Sequence, residues 1–229
     1  MTTRLVAAAI AVAMLAGYPA VPLAQQKESD DAKRIRDGAT AFGEIMGAED
    51  KAIPRAILGK AEGIAIFPGT IKAGLVVGGM RGRGAISARN GGAWSAPAFL
   101  TLTGGSFGLQ IGGQAADIIL VINNRRGLES LISNQFKLGA DAAVSAGPVG
   151  RDAQAATDIQ LRAQILSYSR SRGLFAGVTV NGSTVRPDRD ANERFYGKRL
   201  ETKQILFEKP PSSPAPVALW VETLTKYAR

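Results

Sequence analysis

The spacing of apolar and polar residues changes character several times along the chain. Between residues 25 and 62 it is helical. Ile35, Ala39, Phe42, Ile45 and Met46 fall on one side of a helix, while Lys33, Arg34, Arg36 and Glu44 take other faces. A second helix is predicted to begin near Ile53–Pro54, where proline suits a first turn, and to stop at Gly63. From Gly63 the period falls to two. "GIAIFPG" reads as a short apolar strand closed by Pro68-Gly69, and "KAGLVVGGMRGRGAISAR" continues the alternation. Phe107, Leu109 and Ile111 alternate with Gly108, Gln110 and Gly112 behind a predicted Gly104-Gly105-Ser106 turn. No charged residue occurs between Arg89 and Asp117, but this run is broken by glycines and alternates with Gln and Thr. It therefore reads as strand, turn and strand inside a domain, and not as a membrane span.

Beyond Asp117, "RRGLESLISNQF" predicts a short helix and "KLGADAAVSAGPVGRDA" a small-residue segment with a Gly-Pro turn. A hairpin turning at Asn181-Gly182 is expected next, then one or two helical turns in "RDANERFYG". "EKPPSSPAPV" has a linker composition, and "VALWVETLTKYAR" closes the chain as a helix. The fold class is α+β: a glycine-rich, mainly antiparallel twisted sheet or partial barrel, packed with N-terminal and intervening helices. Two glycine rows, Gly74, Gly78, Gly82 and Gly104, Gly108, Gly112, are each expected on one strand face. Glycine weakens a strand, so another element should press on them.

Composition narrows the chemistry. The chain has 229 residues, with no Cys and no His. That removes the usual zinc sites, Ser-His-Asp triads and Cys-His dyads, and no metal, cofactor or enzymatic activity is expected. Residues 1–24 carry one positive charge, Arg4, then an apolar stretch broken at Pro19 and Pro22 and ending in small residues. This is the layout of a signal peptide cut after Ala24, which predicts export to a periplasm, envelope or medium. The expected segments are 1–24 signal, 25–62 helical, 63–200 the main domain, and 201–229 linker and closing helix. The net charge is +9. Residues 63–187 hold twelve Lys/Arg against five Asp/Glu, so the surplus sits on the glycine-rich middle and points to an anionic partner.

Several motifs bear on that partner. "GGMRGRG" lacks the Gly-Lys-Ser/Thr ending of a P-loop, so it is not a nucleotide site. Read as a turn, it would project Arg81 and Arg83 between glycines toward a phosphate; a solvated turn is the plain alternative. Lys72 would share that rim. Arg170 and Arg172, among the serines of "SYSRSRG", suit anion contact, but two-residue spacing on a strand also points both to bulk water, and the balance leans slightly to water. Asp117 and Asp141 stand in apolar surroundings, where accepting backbone N–H groups or pairing with Arg is expected, not acid-base work. Trp94 is core or rim, and Trp220 is packing or interfacial.

"AEGIAIFPGTIKAGLVVGGMRGRGAIS", "GGAWSAPAFLTLTGGSFGLQIGGQAADIILVI", "KLGADAAVSAGPVGRDA" and "AQILSYSRSRGLFAGVTVNGSTVRPD" resemble successive blocks of the SYLF-domain family. The resemblance covers about residues 39 to 200 and is to a bacterial exported member. It implies a lipid-binding domain whose ligands are phosphoinositides or other anionic phospholipids, with Lys72, Arg81, Arg83, Arg170 and Arg172 as contacts. Actin binding is attributed to yeast relatives, and an envelope protein partner is the alternative here. No nucleic acid is expected. An N-terminal amphipathic helix is implicated in membrane contact in eukaryotic relatives; the matching stretch here, Ala32–Met46, is near neutral in charge.

Overall fold

A computed structural model describes residues 28–48, 52–74, 77–107, 114–150, 163–171, 174–178, 180–208 and 214–229. The predicted signal segment, the Leu109–Ile111 alternation, Arg172 and half of the proline-rich linker lie outside these residues. Helix α1 spans Asp30–Gly47, α2 Arg55–Leu58 and α3 Arg125–Leu131. α4 spans Arg189–Tyr196, α5 Thr202–Phe207 and α6 Ala215–Tyr227. The strands are β1 Gly63–Gly74, β2 Val77–Asn90, β3 Ala93–Trp94, β4 Ala98–Phe107 and β5 Gln114–Ile122. After them come β6 Phe136–Lys137, β7 Val144–Ala146, β8 Ile165–Ser171, β9 Leu174–Gly177 and β10 Thr184–Pro187.

The strands form one curled sheet in the order β6-β10-β4-β2-β1-β5-β8-β7, with β3 on β2 and β9 on β8. All described pairings among these strands are antiparallel except β7 with β8, so the expected α+β fold with a partial barrel is found. Alternate residues feed two cores. Ile64, Ile66, Ala85, Phe99, Ile119, Val121 and Tyr168 pack with Ile35, Phe42 and Ile45 of α1 and with Trp220 and Leu224 of α6. Ala65, Phe67, Ile86, Leu100, Leu102, Ile118 and Leu120 pack on the other face with Leu128 of α3 and Leu206 of α5.

α1 starts where Ser29 Oγ accepts from Ala32 N at 3.1 Å, ahead of Asp30 and Asp31 in the first turn. Its apolar side is buried against the sheet and α6, whose Trp220 ring occupies the space beside Gly38. Trp220 is 1% exposed and its Nε1 donates to Ser87 Oγ at 2.8 Å, so it is a packing residue. The second helix is shorter than expected, a single turn.

Four local expectations are corrected. Pro68-Gly69 does not end β1; the strand runs on to Gly74, and its pairing register shifts across this point. Gly69 takes φ +56°, its N–H donates to Asp117 Oδ1 at 2.9 Å, and the bulge re-phases which face the following side chains occupy. Gly104-Gly105-Ser106 is strand, paired with Met80, Gly79 and Gly78. Gly74 and Gly78 lie opposite each other on β1 and β2, so they do not form a row along one strand. Asn181-Gly182 does turn, with Gly182 at φ +82°, but β9 pairs with β8 and β10 with β4 and β6, so no hairpin joins them.

Candidate functional site

"GGMRGRG" lies in the first half of β2 and is not a turn. A strand sends alternate side chains to opposite faces, so Arg81 and Arg83 share one. That face is the one α1 crosses, because Arg83 reaches Asp31 of α1 at 3.6 Å. Residues directly opposite in antiparallel pairs lie on a common face, which extends the site across strands. One row reads Ala115, Ile71, Arg81, Thr103, Thr184, Lys137 from β5 to β6. The next, nearer α1, holds Arg83, Thr101 and Arg186. Ile71, Arg81, Arg83, Thr103, Lys137 and Arg186 are exposed. Four cations and three threonines therefore stand on one sheet surface beyond the edge of α1. Among the described residues no carboxylate pairs with Arg81, Lys137 or Arg186; Arg186 instead donates to Gln135 Oε1 at 2.9 Å.

Lys72 does not join them. It pairs with Met80 and Gln114, hence points to the opposite face, and is half-buried; burial holds its ammonium pKa below the usual lysine value. Arg170 shares the α1 face but is already neutralised. It donates to Asp117 Oδ2 at 2.9 and 2.7 Å and also contacts Glu44 of α1. Burial pulls its pKa down, and the bonds to Glu44 and Asp117 outweigh that and raise it. Asp117 thus does both things expected of it, accepting Gly69 N–H and pairing with an arginine. Asp141 accepts Lys137 N–H at 2.6 Å. Arg172 lies outside the described residues.

Sequence periodicity placed Arg34 on a polar face of α1; the structure buries it. Its side chain is 5% exposed, bonded to Asp188 Oδ2 at 3.0 and 3.1 Å and set 4.9 Å over the Phe99 ring. Desolvation lowers its pKa, against the raising effect of Asp188. Asp31, equally buried, is shared among Arg34 at 3.7 Å, Arg83 and Arg194 at 2.9 Å. This network clips the start of α1 to β2 and to the head of α4. Arg186 and Lys137 went unnoticed in the sequence because only strand pairing brings them beside Arg81; each is an isolated cation in its own segment.

The face offers guanidinium, ammonium and hydroxyl donors spread across several strands of an open sheet surface, which suits several dispersed negative charges better than one enclosed anion. Among the described residues there is no group of His, Cys, Asp and Glu able to hold a metal ion, and no helix is long and apolar enough to cross a membrane.

Comparison with known proteins adds a family. The profile described as "Ysc84: Las17-binding protein actin regulator" matches residues 103–227, more than half of the chain. Protein YSC84 of Saccharomyces cerevisiae is 34% identical over 199 residues, covering 85% of this chain and 42% of the relative. LAS seventeen-binding protein 3 of the same species is 35% identical over 199 residues, with 85% and 43% covered. The human SH3 domain-containing YSC84-like protein 1 is 34% identical over 185 residues, with 79% and 54% covered. The chain spans about half the length of these relatives, or somewhat less.

Proposed function

The chain belongs to the Ysc84 (SYLF-domain) family, and from that premise we propose that it is a non-enzymatic binding domain whose ligand is an anionic phospholipid. The observation that carries this reading is the exposed basic face of β2, β4 and β10, where Arg81 and Arg83 stand beside Arg186, with Lys137 on the adjoining β6 and no described carboxylate balancing Arg81. The surplus of basic residues in 63–187 supports it. The ligand contacts are Arg81 and Arg83, joined by Arg186 and Lys137; Arg170 serves the fold through Asp117 and Glu44. Export through residues 1–24 is part of the same proposal and puts the domain at an envelope or outside the cell.

Co-sedimentation with vesicles tests the reading. The purified protein should pellet with anionic vesicles and not with neutral ones, and Arg81→Ala/Arg83→Ala should weaken binding and flatten its salt dependence. Unchanged binding by the double variant would remove these arginines from the site.

A second reading rests on the relatives' names. A family described as Las17-binding favours a protein partner, and the same basic face would then meet an acidic protein surface. Retention of a single protein at high salt, with no preference for anionic vesicles, is the result that selects it.

A further inference from the structure

At five of the strand glycines whose surroundings are described, a Cβ would come within 3.0 Å of a neighbour. A Cβ at Gly84 would fall on the Ile66 carbonyl and 2.7 Å from Phe67 Cδ1, one at Gly82 would meet Thr70 Oγ1, and one at Gly104 would lie 2.9 Å from Ser183 Cα. Gly63 would meet Leu128 Cδ1 at 2.8 Å, and Gly177 the Gly147 carbonyl. Gly79 and Gly105 are different. They lie opposite each other on β2 and β4, both are exposed, neither has a positive φ, and a Cβ at either would meet nothing within 4 Å among the described residues. The fold has no use for the missing side chains, and an exposed strand is more stable without glycine.

Their position supplies a use. Gly79 is two residues from Arg81, and Gly105 two from Thr103, so both open onto the basic face. Directly opposite Arg81 on the adjoining strand β1 stands Ile71, 59% exposed although it is a large apolar residue. The surface is thus a backbone floor from which, among the described residues, Ile71 projects as a large aliphatic side chain, bordered by Arg81, Arg83, Arg186 and Lys137. A planar, anionic partner with an apolar layer beneath its charges matches each part.

We propose that this sheet face beyond α1 lies flat against an anionic bilayer: Ile71 enters the headgroup layer, the cations engage lipid phosphates, and Gly79 and Gly105 leave the contact plane unobstructed. The inference rests on the phospholipid reading above and adds which surface makes contact, and how. It also assigns contact to the sheet instead of α1, whose apolar side is buried in the core.

The absence of cysteine makes the test clean. Single Ile71→Cys and Leu219→Cys variants of the full chain, each labelled with an environment-sensitive dye, are mixed with phosphatidylcholine vesicles with or without phosphatidylserine. Leu219 is 43% exposed on α6, a helix that contributes none of the proposed contacts. The label at 71 should shift to the blue with anionic vesicles, and the label at 219 should not. In parallel, Gly79→Thr/Gly105→Thr should retain or raise the melting temperature, because threonine suits an exposed strand, yet lose about tenfold in vesicle affinity, because the added polar side chains hold the backbone floor off the headgroups. Pelleting with anionic vesicles but no dye response at 71, or undiminished binding by the stable glycine variant, overturns the sheet-face contact and leaves the lipid reading standing. No binding of the wild type to anionic vesicles overturns both.

Discussion

Arg34 offers the sharpest energetic test of how the domain is held together. Replacing it with Met keeps the aliphatic bulk under α1 but leaves Asp188 without its charged partner. Removing one member of a buried pair costs about 3–5 kcal/mol. The low end applies here, because Asp188 still accepts from Ala191 N at 3.2 Å and Asp31 still has Arg194 and Arg83. The bond from Arg34 to the Gly84 carbonyl and the contact over Phe99 are lost as well. The expectation is about 3 kcal/mol for Arg34→Met and about 2 kcal/mol for Asp188→Asn. Asparagine preserves the helix cap, so the double variant should lose about 3 kcal/mol, not the additive 5, giving a coupling of about 2 kcal/mol. Urea unfolding of the four proteins measures the cycle. A loss under about 0.5 kcal/mol for Arg34→Met, as at an ordinary surface site, would refute the buried-network argument, and so would strict additivity.

Other expectations follow from the same contacts. Gly84→Ala should destabilise by about 2 kcal/mol or more, since the methyl group would press on the Ile66 carbonyl of the neighbouring strand, and chemical unfolding reads the loss directly. Arg170→Ala should cost about 1 kcal/mol at its partly exposed pair with Asp117 while leaving vesicle binding unchanged; a binding defect equal to that of Arg81→Ala would return Arg170 to the site. Tyr168 and Tyr196 have phenol pKa values raised by burial, so both keep their protons in the folded state when the unfolded chain would lose them. The unfolded state then binds fewer protons above pH of about 10, and stability should fall there by about 1.4 kcal/mol per pH unit for each tyrosine. Absorbance of phenolate followed against far-UV circular dichroism checks this: ionisation of these two rings before unfolding would contradict their burial.

Much of the architecture was legible in the spacing of apolar residues. α1 reads from Ile35, Phe42 and Ile45, and α4 and α6 from their own patterns, because each buries one side. The sheet was legible as strands but not as a register. Pro68-Gly69 carries the signature of a turn, yet Asp117, distant in sequence, supplies a carboxylate for the Gly69 N–H and lets the strand continue through a bulge. Gly104-Gly105-Ser106 likewise looks like a turn until β2 is laid beside it. The candidate site shows the same division. Arg81 and Arg83 stand out in the sequence as arginines between glycines, which reads as a turn; only the strand they occupy shows that they share one face. Lys72 was placed with them because the bulge that sends it to the other face cannot be seen in a linear sequence. Arg34 was assigned to solvent because periodicity knows nothing of Asp188, 154 residues away.

The central claim is that the uncovered basic face meets anionic lipid, and co-sedimentation across a salt series tests it most directly. Wild-type protein should pellet with phosphatidylserine-containing vesicles at low salt, release as salt rises, and ignore pure phosphatidylcholine throughout. Equal pelleting with both vesicle types, or none with either, would contradict the claim.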